Sequence, residues 1–219
     1  MSSPFDHSQL IDVPFVSWKS MSLFDTSRIA CTAFLSKDKS LLAVGYVDGL
    51  VRLVNPQTET VQTLPHRHQD RCVTLTFSDN GDRLLSPSLD STVRIWDTKT
   101  SQQLLKFNVF GAACFGAFSP DGKTIATGTM GPIFTTQFWN AESGECQAAF
   151  DKHKNLIYHY IFLDNEQVIS LAADKTPYLL NVSTGKPIRV FVGHKNTIYS
   201  GNLSSDKTQL IYLIGKKRS

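Results

Sequence analysis

No stretch of the 219-residue chain approaches the roughly 18 consecutive apolar residues that a membrane-crossing helix needs. Residues 1–16 carry neither a basic start nor a long apolar run, so they do not read as a secretory leader. Charge of one sign is scarce too. The 22 Lys and Arg against 19 Asp and Glu leave a net charge of +3, too little to mark a dedicated nucleic-acid binder. The four cysteines, Cys31, Cys72, Cys114 and Cys146, form no C-x-x-C pair, which removes the common zinc and redox motifs. These absences lead us to expect a soluble protein of a reducing compartment, cytoplasmic or nuclear, with no membrane partner, no metal and no cofactor. With 41% hydrophobic and 19% charged residues, 13 Gly and 9 Pro, the chain has apolar material for one globular core and lacks the bias of disordered or collagen-like sequences.

What the chain does have is a repeat. The segments "DGLVRLVN" (Asp48 to Asn55), "DSTVRIWD" (Asp90 to Asp97), "IFTTQFWN" (Ile133 to Asn140) and "DKTPYLLN" (Asp174 to Asn181) align so that their ends are 42, 43 and 41 residues apart. Turn-forming residues precede each one: "LSKDKS" from Leu35, "FSDNGD" from Phe77, "FSPDGK" from Phe118 and "FLDNEQ" from Phe162, with a fifth, "LSSDKT", from Leu203. Short β-branched and aromatic runs lie between the turns, such as "CVTLTF", "RLLSPS", "TVRIW" and "QLLKF" in the second unit. Four strands per period of about 42 residues are the pattern of a propeller blade.

The segments "SPDGKTIATG" (Ser119 to Gly128) and "LDSTVRIWDTKTSQQLLKF" (Leu89 to Phe107) resemble blades of the WD-repeat family, and the resemblance covers about residues 29–214. It implies an all-β propeller with units at about 29–64, 68–107, 111–150 and 153–191 and a partial fifth at 194–214. It also implies a hydrogen-bonded set within a blade: a His before the innermost strand, a Ser or Thr on the second strand, an Asp in the following hairpin and a Trp on the third strand. By position the second unit supplies His68, Ser86, Asp90 and Trp96, and the fourth supplies His153, Ser170 and Asp174, with Leu180 in place of Trp. The third keeps Thr127 and Trp139, and the first keeps Asp48, with Val44 and Val54 at the Ser and Trp positions. Such groups are costly to bury without partners, so a complete set should pin strand register and make the second unit the most robust.

A His, a Ser and an Asp in one unit also suggest a catalytic triad. Their recurrence in phase with the repeat favours a structural role, because a triad occurs once per site. His66 and His68 in "HRH" lack a third ligand nearby and read as a solvated side chain and a loop end. Cys31, Cys72 and Cys114 recur 41 and 42 residues apart in the first-strand region, which reads as packing of small thiols. Neighbouring innermost strands diverge in a propeller, so these sulfurs are expected to stay beyond disulfide reach. The terminal "GKKRS", with Lys216, Lys217 and Arg218, reads as a solvated end.

The binding face implied by the resemblance is formed by the loops leading into the innermost strands and by the hairpins between second and third strands. On it should lie Val47, Leu89 and Ala173, with Asp70, Arg71, Asn155 and Tyr158 near the innermost strands. The third unit is unusual there. Ser86 to Trp96 spans 10 residues but Thr127 to Trp139 spans 12, so two extra residues bring Met130, Ile133 and Phe134 around Gly131-Pro132. Mixed apolar and polar side chains suit a protein or peptide better than a phosphate backbone. The expected function is a non-enzymatic scaffold for one or more protein partners. The alternative is a component of an RNA-processing or other ribonucleoprotein or chromatin assembly contacting nucleic acid, whereas the leading reading expects no direct nucleic-acid partner. The cullin-ligase receptor signature W-D-x-R is absent, because Thr98 and Lys99 follow Trp96-Asp97.

Dividing the chain by its period gives four complete blades and part of a fifth. Closure then requires strands from residues 9–18 within the N-terminal segment 1–28, strands from a partner or a second copy, or an open ring.

Overall fold

The computed structural model describes residues 29–34, 41–204 and 209–215. The proposed strand donor at 9–18 and the basic residues Lys216 to Arg218 lie outside this set. The first sheet contains β1 (Ile29–Phe34), β2 (Leu42–Tyr46), β3 (Val51–Asn55) and β4 (Thr60–Thr63), and the second β5 (Thr76–Phe77), β6 (Arg83–Pro87), β7 (Thr92–Asp97) and β8 (Gln103–Asn108). The third contains β9 (Ala112–Phe118), β10 (Thr124–Met130), β11 (Phe134–Asn140) and β12 (Cys146–His153). β13 (Ile157–Phe162), β14 (Gln167–Ala172), β15 (Tyr178–Asn181) and β16 (Pro187–Val190) make the fourth, and β17 (Ile198–Leu203) pairs with β18 (Leu210–Ile214) in the fifth. Each sheet is an antiparallel meander in chain order. The innermost strands β1, β5, β9, β13 and β17 pack one against the next, and among the described residues the sheets do not close on one another.

The burial pattern follows from this radial arrangement. Middle strands are covered on both faces, so β6 and β7 read as nearly continuous buried runs, whereas the outer strands β4 and β16 are exposed throughout. The core lies between sheets. Leu84 and Trp96 of the second sheet pack with Ala43, Val51 and Leu53 of the first, and Leu85, Val93 and Ile95 pack with Phe118, Ile125 and Trp139 of the third. Ala126, Phe138 and Phe150 face Ile157, Val168 and Leu180, and Ile169 and Leu171 face Ile198.

The hairpins between second and third strands explain the recurring Asp. In the first, second and fourth sheets the residue after it takes a left-handed backbone: Gly49 at φ 81°, Ser91 at 64° and Lys175 at 68°. At Gly49 space as well as conformation demands glycine, because a Cβ would come within 2.3 Å of the His68 carbonyl oxygen. The third sheet departs from this pattern. Its two extra residues lengthen the strands, with seven residues each in β10 and β11 against five in β6 and six in β7, leaving residues 131–133 as the tip.

One expectation is corrected. Innermost strands do not separate the thiols of the first two sheets, since Cys31 Sγ lies 3.8 Å from Cys72 Sγ. The reason is local: Gly45, paired with Cys31 across the β1–β2 ladder, has no side chain to fill the space between them.

Candidate functional site

In the second sheet four separated residues meet in one buried chain of hydrogen bonds. The Trp96 indole N–H can only donate, and it reaches Ser86 Oγ at 2.9 Å. Ser86 therefore directs its single proton at His68 Nε2, 2.8 Å away. With Nε2 accepting, the ring proton sits on Nδ1 and faces the Asp90 carboxylate at 3.1 Å. Asp90 also accepts the Gln69 N–H at 2.9 Å and the Thr92 hydroxyl at 2.6 Å. Burial alone would raise the Asp90 pKa, but the hydrogen bonds from His68, Thr92 and Gln69 outweigh it and hold the carboxyl well below its ordinary value of 3.8.

This order of carboxylate, imidazole and hydroxyl matches a hydrolytic triad, yet it cannot act as one. Ser86 is fully buried, and its oxygen is taken by the indole and the imidazole. The chain instead ties the loop before the innermost strand to β6, β7 and their hairpin.

The fourth sheet repeats part of the arrangement. His153 Nε2 lies 2.7 Å from Ser170 Oγ and Nδ1 lies 2.8 Å from Asp174, which also accepts the Lys154 N–H at 2.9 Å. Burial pushes the Asp174 pKa up, and the bonds from His153 and Lys154 more than reverse it. Fully buried Leu180 stands where an indole would donate to Ser170, and the His153 ring is packed edge-on by Tyr178 and Phe150 at centroid distances of 4.9 and 5.6 Å. In the third sheet only the outer half of the set forms, the Trp139 N–H donating to Thr127 Oγ at 2.8 Å. In the first, Asp48 accepts the Leu50 N–H at 3.3 Å, while Val44 and Val54 are buried.

The same ends of the sheets carry the candidate binding residues. Leu89 N–H donates to the Arg71 carbonyl at 3.1 Å, and Ala173 N–H to the Leu156 carbonyl at 2.8 Å. Met130 pairs with Ala112, and Phe134 with His153. The hairpins of Val47, Leu89, Met130 and Ala173 are thereby set beside the loops of Asp70, Arg71 and Asn155. Val47, Asp70, Arg71 and Asn155 are exposed, whereas Leu89 and Ala173 are half-buried. Ile133 is 61% exposed and Met130 40%, while Phe134 begins β11 and is half-buried. Tyr158 is placed inward, its ring 5.7 Å from that of Phe115 and 5.2 Å from that of Tyr199, along a cavity between the innermost strands.

Phe110 joins this surface without having been singled out from the sequence. It is 77% exposed and directly precedes Gly111, whose α-carbon faces the Met130 carbonyl closely enough that a Cβ would sit 3.0 Å from it. The signal available was an aromatic residue in the loop where the other units place His68 and His153. His66 is exposed, and no cluster of three His, Cys, Asp or Glu suited to a metal occurs among the described residues. Among those residues no helix is long and apolar enough to cross a membrane.

Successive four-stranded blades, the second held internally by an indole, hydroxyl, imidazole and carboxylate and the others by parts of that set, place the chain in the class of propeller-forming repeat proteins. The model of the WD domain, G-beta repeat, matches residues 58–97, and together with the similar proteins below it supports a WD-repeat family for the chain. It is 22% identical over 196 residues, 88% of its length, to the E3 ubiquitin-protein ligase COP1 of Arabidopsis thaliana. It is 26% identical over 201 residues, 87% of its length, to the WD repeat-containing protein 91 homolog of Dictyostelium discoideum. Over 95 residues, 43% of the chain, it is 30% identical to the U3 small nucleolar RNA-associated protein 21 homolog of Schizosaccharomyces pombe. The matched regions cover 29%, 26% and 10% of those relatives, so the chain spans well under half their length.

Proposed function

We propose that the protein is a non-enzymatic scaffold of a cytoplasmic or nuclear multiprotein complex, with residues 29–219 acting as one repeat domain that needs no cofactor. The observation that carries this reading is the third-sheet end, where Phe110, Met130 and Ile133 expose apolar side chains around a Gly-Pro tip. Apolar side chains gathered on a proline-stiffened hairpin favour protein contact, since ordering such a loop on binding costs little. Val47, Leu89 and Ala173, with Asp70, Arg71 and Asn155, form the polar and apolar surround, and Tyr158 addresses a partner only through the central cavity. The exposed outer edge of β18, with Ile211 and Leu213, extends the reading to pairing by a strand from a partner or a second copy.

The test is a double change, Ile133→Ala with Phe134→Ala, followed by affinity purification. The expected result is a folded protein that loses one or more co-purifying proteins. Retention of every partner at unchanged yield by a folded variant would end the proposal. One relative's name, which associates it with a small nucleolar RNA, supports a second reading as a component of a ribonucleoprotein assembly. RNA recovered with the protein in a salt-dependent way would favour that reading.

A further inference from the structure

We propose that Cys31 and Cys72 form a dithiol site that a peroxide oxidises to a disulfide, joining the innermost segments of the first and second sheets. Three independent features of the geometry meet here. The sulfurs lie 3.8 Å apart, and Cys31 Sγ is also 3.3 Å from the Cys72 carbonyl oxygen. A disulfide needs about 2.0 Å, so the sulfurs have only roughly 1.8 Å to close.

The backbone near both residues is irregular: Cys31 stays paired with Gly45 but directly follows a break in the ladder, and Cys72 lies outside any continuous ladder. The β1–β2 register shifts between Ile29 and Cys31, and Cys72 sits in an isolated bridge to Ser88, ahead of β5. Gly45 keeps the intervening space open. A Cβ there would lie 2.7 Å from Cys31 Sγ, 3.2 Å from Cys72 Cβ and 3.3 Å from Cys72 Sγ. The other two thiols are placed differently, with Cys114 and Cys146 each 3.7 Å from a backbone carbonyl, that of Ala112 and Ala148 respectively.

Access is also ordered. Cys31 is half-buried and lines a cavity of about 240 Å³ shared with Thr74, Thr76, Phe115 and His159, whereas Cys72 is fully buried. Burial, reinforced by Cys31, pushes the Cys72 thiol well above its ordinary pKa, so it stays protonated and waits for its partner to react. The Cys31 thiolate attacks one peroxide oxygen, the O–O bond breaks, and the departing hydroxide leaves as water with the thiol's proton. Cys31 is then a sulfenic acid. Cys72 sulfur attacks Cys31 sulfur, the S–O bond breaks, and the hydroxyl departs with the Cys72 proton as a second water. Two thiols lose two electrons in all, and the peroxide gains them. The bond ties residues 41 apart in sequence and fixes the first blade to the second.

The experiment treats the full folded chain with hydrogen peroxide, alkylates the remaining thiols and maps tryptic peptides without reduction. The expected product joins peptide 29–37 to peptide 72–83, weighs two hydrogens less than the pair, and disappears with dithiothreitol. The thermal midpoint should rise by roughly 5 °C or more on oxidation. Gly45→Ala should lower the cross-link yield severalfold, and Cys31→Ser should leave Cys72 unmodified in the folded state. Conversion of Cys31 to a sulfinic acid with Cys72 still a free thiol would overturn the proposal, as would a cross-link formed only after denaturation. If Gly45→Ala does not fold, the wild-type map and Cys31→Ser decide the matter alone.

Discussion

The second and fourth sheets use the same His, Ser and Asp and finish the arrangement differently. In the second, the Trp96 indole fixes the direction of every proton from Ser86 to Asp90. In the fourth, Leu180 fills the indole's place, and aromatic edges from Tyr178 and Phe150 hold the imidazole instead. The comparison teaches that one motif position can be served by a directional hydrogen bond or by packing, but only the first leaves a buried donor that demands an acceptor. The third sheet carries the trend further. It lacks the His and Asp, and it is there that the hairpin lengthens and turns apolar residues outward.

The largest effect should come from His68→Ala. It leaves the Ser86 proton without its acceptor, takes one donor from Asp90, which keeps those of Gln69 and Thr92, and empties a buried ring's space, and we expect a loss of about 3 kcal/mol, a fall in thermal midpoint of roughly 6–12 °C. Urea unfolding with an unchanged slope would measure it; a loss under about 0.5 kcal/mol would dissolve the distinction drawn above.

A paired substitution sharpens the comparison. Ser86→Ala orphans the Trp96 N–H and also removes the donor to His68, whereas Ser170→Ala affects His153 without stranding an indole. Ser86→Ala should therefore cost about 1 kcal/mol more than Ser170→Ala. Equal costs would mean that the indole bond contributes nothing beyond the ring's burial.

Acid gives the smallest and most gradual effect. Burial holds the His159 pKa below its ordinary 6.5, so its contribution to stability is present above pH 6.5 and is lost as pH falls through the folded value. The neutral ring's Nδ1 accepts the Gly201 N–H at 3.3 Å, linking β13 to β17 by a bond that protonation breaks. Asp90 and Asp174, both lowered, contribute above 3.8 and lose that contribution only below it. Hydrogen exchange followed from about pH 7.5 downward should show the β13–β17 contact loosening before the second sheet does. Simultaneous loss across all sheets would contradict this order.

The blades are legible in the sequence because the Asp-x hairpins and the strand runs recur at one spacing, and each such turn demands unusual backbone angles. Burial of the middle strands follows from that repetition. The meeting of Cys31 and Cys72 was not legible, because it depends on what lies across the ladder: the absent side chain of Gly45 matters more than the cysteine spacing. Nor was the inward placement of Tyr158, since a single tyrosine at a strand start suits either the rim or the stack with Phe115 and Tyr199. Phe110 was readable in principle, as an aromatic residue where two other units carry the imidazole.

The account separates residues that hold the blades from residues that meet a partner. Its most direct test measures thermal midpoint and partner recovery side by side for His68→Ala and for the Ile133→Ala, Phe134→Ala variant. The account predicts opposite outcomes. His68→Ala lowers the midpoint and, assayed below it, keeps its partners, while the hairpin variant loses partners with a far smaller change in midpoint. Parallel loss of both properties in both variants would contradict it.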